Sequence, residues 1–70
     1  MSEPTLRDLL TPRELQVAEL IRDGYSNPEI GGQMGICEQT VKHFMTRIFD
    51  KTGCDNRVML AVRVERESHQ

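Results

Sequence analysis

Few side chains in this 70-residue sequence are spaced for covalent or metal chemistry. Cys37 and Cys54 lack CxxC spacing, and adding His43 and His69 gives four ligand types at separations no zinc finger uses. Two reduced thiols are therefore expected, with no metal site, no disulfide and no cofactor. No nucleophile–base pair or glycine-rich phosphate loop can be read from the chain, so an enzyme is not expected. What remains is hydrogen-bonding chemistry. Thr40, Lys42, His43, Thr46 and Arg47 crowd into eight residues, with Gln39 and Asp50 on either side. Set on one helix face, these groups offer donors and cations to a polyanion and to base edges.

The elements that must position them are helices. No strand-like alternation occurs, and glycine and proline divide the chain into four helical segments. In the first, Thr11 caps, Pro12 takes the first helical position and Glu14 completes a capping box. Leu10 and Leu15 are placed to staple that entry. Leu15, Val17, Ala18, Leu20 and Ile21 make a broad apolar face, and Gly24 ends the helix, with Tyr25 free to pack back. The second segment starts at Ser26 or Asn27. Ser26 and Glu29 form another capping box, whereas Asn27 before Pro28 favours Asn27 as the cap. It ends at Met34 before Gly35. The third runs from about Glu38 to Lys51, ending near Gly53, with Val41, Met45, Ile48 and Thr52 in one stripe and Phe44 beside it. Asp55 or Asn56 caps a fourth, about Arg57 to Glu67. Residues 1–9 read as an N-terminal tail, 10–67 as one domain, and 68–70 as a frayed end.

Gly35, Ile36 and Cys37 alone join the second and third helices. Gly31 is small, Gly35 follows four residues later, and Val41 six after that. A small residue at the crossing, a glycine in the turn and a β-branched residue locking the next helix describe helix-turn-helix geometry. The second helix of such a pair can lie in the DNA major groove. A plain helical hairpin fits the spacing as well.

The stretch from Leu10 to Val64 resembles the LuxR/GerE-type DNA-binding domain of bacterial transcription regulators. The matching pieces are LTPRE (Leu10–Glu14), Gly24, SNPEI (Ser26–Ile30), TVK (Thr40–Lys42), IFDK (Ile48–Lys51) with Gly53, and NR (Asn56–Arg57), in order and without gaps. The resemblance implies an all-α, four-helix helix-turn-helix domain whose third helix reads the major groove and whose fourth supports dimerisation. Lys42 matches a DNA-contacting family position, and His43, Thr46 and Arg47 sit at adjacent reading positions. Thr40 is a candidate phosphate contact at the helix start, with Thr11, Ser26 and Asn27 as further phosphate candidates. The sequence departs from the family pattern at Gly31 (usually Ala), Cys37 (usually Ser), TVKHF (where Phe44 stands at the usual His) and Met59 (usually Gln or Glu). The sensory or receiver domain that often precedes such a domain is not present in these residues, so a signal is expected to arrive through abundance, proteolysis or a partner.

On the fourth helix Leu60, Ala61 and Val64 supply one core stripe, while Val58, Met59 and Val62 point elsewhere. These three are the expected dimer interface, unless the core wraps widely around the helix.

Composition bounds the alternatives. Hydrophobic residues are 37% and charged residues 29%, which suits one small globular domain with a marginal core. No apolar run approaches the roughly 20 residues of a membrane span, and no signal-peptide pattern opens the chain, so no membrane contact and a cytoplasmic location are expected. Net charge is -2, unevenly spread: residues 1–36 balance to -3 and residues 37–70 to +1. Three function classes follow. The first is a sequence-specific regulator that binds double-stranded DNA as a homodimer. The second is an interaction module that pairs with a longer LuxR-type regulator, or touches RNA polymerase, and modulates DNA binding. The third, a fragment of a polymerase sigma factor, is disfavoured by TVK and by the NR-capped fourth helix.

Overall fold

The computed structural model describes residues 4–68, and within them the chain is all-α. The elements are α1 (Leu6–Leu9), α2 (Pro12–Arg22), α3 (Asn27–Met34), α4 (Glu38–Thr52) and α5 (Arg57–Ser68). The four helices expected from the sequence are α2 to α5. The addition is α1, inside the stretch expected as a tail. Its single turn is too short to carry a hydrophobic period, and tertiary contacts hold it. Leu6 is buried in the core, its N–H donates to Glu67 Oε1 at 2.8 Å, and the Asp8 carboxylate accepts from Thr5 N at 3.0 Å.

Local chemistry sets the other boundaries. Thr11 Oγ1 accepts from Glu14 N, and Glu14 Oε1 accepts from Thr11 N at 2.9 Å, a reciprocal capping box. The α2 end closes when Tyr25 N donates to Leu20 O across Gly24, whose φ is 91°. Ser26, not Asn27, caps α3: its extended backbone lets Oγ accept from Glu29 N while Glu29 answers at Ser26 N. Asn27 is then the first helical residue, so the preference of a pre-proline residue is overridden by the capping box. At α5, Asn56 Oδ1 accepts from Met59 N at 2.9 Å, which makes Asn56 the cap rather than Asp55. Ser68, expected to fray, closes α5: its hydroxyl donates to Val64 O and accepts from Arg22 Nη1 at 2.8 Å. His69 and Gln70, also expected to fray, lie outside the described residues.

The central element is α2, with α5 packed along it and α4 across it, while α3 leans on α4. Val17, Ala18 and Ile21 from α2 meet Ile30, Val41, Ile48, Leu60 and Val64, closed at one end by Leu6 and Leu10. Each large aliphatic side chain removed from water here contributes about 1.5–3 kcal/mol. This core fixes α4 and α5 by one face each: Val41 and Ile48 anchor α4, and Leu60 and Val64 anchor α5.

Candidate nucleic-acid interface

The tightest joint in the molecule is the turn between α3 and α4. Gly35 adopts φ 70°, a left-handed conformation that glycine takes without a Cβ penalty. A Cβ built on Gly31 would stand 2.6 Å from the Ile36 carbonyl oxygen and 3.6 Å from the Cys37 carbonyl carbon. Gly31 is therefore the crossing-point residue its spacing suggested, although the obstacle is the turn backbone rather than a side chain of α4. The two glycines let the chain reverse within three residues and deliver α4 at a set angle to α3.

At the start of α4, Cys37 has the extended backbone of a cap, but its side chain makes no cap hydrogen bond. Its thiol lies 3.2 Å from Thr40 Oγ1, and that hydrogen bond, helped by the Thr40 backbone N–H, holds the thiol below its ordinary pKa. Thr40 is half-buried at this end. Beyond it the helix divides cleanly. Val41 and Ile48 are fully buried, and Phe44, Met45 and Phe49 pack partly against the core. Lys42, His43, Thr46, Arg47 and Asp50 are exposed, as is Gln39. The four candidate reading residues and Thr40 are thus brought together on the first three turns of one helix. Lys42 Nζ sits 3.8 Å from Glu38 Oε2, and with its side chain 57% exposed this is a loose pair in solvent. Thr46 Oγ1 donates to Lys42 O at 3.1 Å, so its lone pairs face outward. Phe44 belongs to the core side, the position its apolar register required.

The further phosphate candidates are all occupied by structural roles. Thr11 and Ser26 accept in their caps, which leaves each hydroxyl proton able to donate outward. Asn27 Oδ1 accepts from Arg57 Nη1 at 2.7 Å, leaving its amide N–H groups as donors.

Three of the cationic residues with no role assigned from the sequence each fasten a helix end. Lys51 Nζ lies 2.7 Å from Glu14 Oε1 and ties the end of α4 to the start of α2. Arg57 also donates to Tyr25 O and so ties α5 to the loop before α3. Arg63 donates to Thr52 O at 3.2 Å, to Pro4 O at 3.0 Å and to Glu67 at 3.1 Å. Only the spacing of Arg63 and Glu67 was legible as a helix-surface pair; the long-range partners carry no local signal. Half of the positive charge in residues 37–70 is thus committed inside the fold. On α4, Lys42 and Arg47 stay on the exposed face.

On α5, Val58, Met59 and Val62 are 71%, 46% and 50% exposed, so the core does not wrap around to cover them. No group of three or more metal-ligating side chains occurs among the described residues, and no helix among them is long and apolar enough to cross a membrane.

Comparison with known proteins agrees with this arrangement. Residues 8–64 match the model of bacterial regulatory proteins of the luxR family. The chain is 34% identical over 64 residues to the probable transcriptional regulatory protein SgaR of Hyphomicrobium methylovorum, covering 87% of this chain and 30% of that protein. It is 41% identical over 54 residues to the transcriptional regulatory protein DegU of Brevibacillus brevis, covering 77% of this chain and 23% of that one. A third relative, the probable transcriptional regulator ycf29 of Guillardia theta, is 37% identical over 51 residues, covering 73% of this chain and 24% of that protein. No solved structure gives a significant match. The chain spans less than a third of the length of these curated relatives. With the family model covering most of its length and its helix-turn-helix built as described, the chain belongs to the LuxR family of bacterial regulatory proteins, a family of DNA-binding transcription regulators.

Proposed function

We propose that this domain regulates transcription by binding specific DNA sequences as a homodimer, with α4 in the major groove. The single observation that carries the reading is the division of α4: one face is sealed into the core, and the other presents Lys42, His43, Thr46 and Arg47 together. Lys42 and Arg47 donate to guanine O6 and N7 or to phosphate, and His43 and Thr46 read neighbouring edges. Thr40 donates to a phosphate at the helix start, where unpaired backbone N–H groups add to the attraction. Thr11, Ser26 and Asn27 add backbone contacts through the donors their caps leave free. Val58, Met59 and Val62 pair two copies, so that two α4 helices meet half-sites about 10 base pairs apart.

A titration against duplexes selected from a random pool, at two salt concentrations, tests this. Affinity falls with salt by about 0.9 in the log–log slope per phosphate neutralised. Lys42→Ala costs roughly 1–3 kcal/mol on the selected site if it makes a base contact. Equal affinity for selected and unrelated duplexes would remove the sequence-specific reading.

The thin cationic surface of α4 favours one second reading, a module that pairs with a longer LuxR-type regulator, or contacts RNA polymerase, and modulates DNA binding. Failure to bind any duplex, together with retained pairing, would select it.

A further inference from the structure

Lys51 pairs with Glu14 and Arg63 with Glu67, but Arg57 makes no ion pair among the described residues. Its guanidinium, half-buried at the start of α5, donates to three neutral acceptors instead: Asn27 Oδ1 at 2.7 Å, Met45 Sδ at 3.7 Å and the Tyr25 carbonyl oxygen. One planar group thus touches the loop before α3, the first residue of α3 and the middle of α4. A lysine ammonium offers no such fork. The bond to Asn27 has a directional consequence. An amide has an acceptor at one end and two donors at the other, whereas a guanidinium can only donate. Facing Arg57, the amide therefore has one permitted orientation. Oδ1 turns inward, and the Nδ2 hydrogens turn away, with no partner among the described residues. The guanidinium charge, which no carboxylate neutralises, polarises the amide and makes those outward N–H groups stronger donors.

Resting on the reading above, in which Asn27 meets the DNA backbone, we propose that Arg57 is a positioning residue of the DNA interface: from within the fold it holds the Asn27 amide with its donors turned to one phosphate of each half-site. Arg57 itself does not touch the DNA. Without it the Asn27 side chain turns freely, and half a turn about χ2 aims Oδ1 outward, where a phosphate is repelled. The contact to Met45 adds a second effect. It ties this phosphate anchor to α4, so that the anchor and the exposed face of α4 keep one spacing.

Phosphate-ethylation interference on a selected duplex, run beside affinity titrations of the 70-residue protein, tests this. Ethylating one phosphate per half-site blocks the parent and no longer matters to Asn27→Ala. Arg57→Lys keeps the charge but not the fork, and it loses the requirement at that same phosphate although Asn27 is present. Its affinity falls about threefold or more, the worth of one hydrogen bond. Adding Asn27→Ala to it costs less than about twofold further, because the two residues act as a unit. A merely structural loss would weaken binding without erasing one phosphate from the pattern. Arg57→Met is the second variant, read in the same way, and circular dichroism shows which variants are folded. If Asn27→Ala loses the phosphate while the folded Arg57 variants keep it, the positioning role is overturned and the DNA reading stands. If Asn27→Ala keeps the parent pattern, the Asn27 contact and the role of Arg57 fall together, and the reading of DNA by α4 stands. A parent that binds no duplex overturns the proposed function and this inference alike.

Discussion

The ammonium of Lys51 rests 2.7 Å from Oε1 of Glu14, the same oxygen that accepts the Thr11 backbone N–H. One carboxylate therefore closes the first turn of α2 and clamps the last turn of α4. Glu14 is only 2% exposed, and burial pushes its pKa up. The hydrogen bonds and charge of Lys51, with those of Thr11, outweigh that and hold it below the ordinary value. The clamp secures the far end of the helix whose near end is set by Gly31 and Gly35.

Removing Lys51 leaves a buried carboxylate with its backbone partner alone. Because Lys51 is partly exposed, the expected cost of Lys51→Met is about 1–3 kcal/mol in denaturant unfolding, less than for a fully buried pair. The pH dependence has a defined sign. A carboxylate whose folded pKa is depressed contributes stability above its unfolded pKa and loses it as pH falls through the folded value. Parent stability should thus decline on acidification below about pH 4.3, the ordinary glutamate range. Glu14→Gln should flatten that decline, and Lys51→Met should flatten it too, because without the ammonium the folded pKa of Glu14 rises toward its unfolded value. A parent and a Glu14→Gln variant with parallel acid profiles would sink the clamp.

Gly31→Val should destabilise by more than the helix-propensity difference, which by itself favours valine over glycine. The new Cβ meets a backbone oxygen at 2.6 Å, and an overpacked contact of this kind costs about 1–3 kcal/mol. Thermal unfolding reads this directly. A valine variant that melts at or above the parent temperature would show that the turn relaxes freely.

Cys37→Ser should act in the opposite direction. The cap position already has the required extended backbone, and a serine oxygen can accept from the first-turn N–H groups that the thiol leaves open. A gain of up to about 1 kcal/mol is expected in the same unfolding measurement. A loss of stability would mean that the thiol contact to Thr40 outweighs a proper cap.

Val62→Glu places a charge in the middle of the exposed α5 stripe without touching Leu60 or Val64. Its melting temperature should stay within a few degrees of the parent, since exposed substitutions change stability by about 0.5 kcal/mol or less. Sedimentation should show monomers, and binding to a two-half-site duplex should weaken while binding to a single half-site survives. Unchanged binding to the two-half-site duplex would remove Val62 from the interface.

The features legible in the sequence were those written in neighbouring residues. Thr11 with Glu14 and Ser26 with Glu29 announce two helix starts, and Gly35 and Gly53 announce two stops. Val41 to Thr52 reveals the buried stripe of α4 and, by subtraction, its exposed face. Features that depend on the folded chain were not legible. α1 exists because Leu6 finds the core and Glu67 finds its N–H, and a single turn has no period to betray it. The choice of Ser26 over Asn27 turned on a balance between two local rules. Lys51, Arg57 and Arg63 resembled surface cations because their partners, Glu14, Asn27 with Tyr25, and Thr52 with Pro4, lie 11 to 59 residues away. The +1 balance of the C-terminal half consequently overstated the charge open to a polyanion.

The most direct test of the central proposal is methylation interference on a selected duplex. Methylating guanine N7 blocks the major groove, and methylating adenine N3 blocks the minor groove. With α4 in the major groove, N7 methylation within each half-site should abolish binding, and Lys42→Ala should relax the requirement at one guanine position. Interference confined to adenine N3, or an N7 pattern identical in parent and Lys42→Ala, would contradict the assignment of α4 as the reading helix.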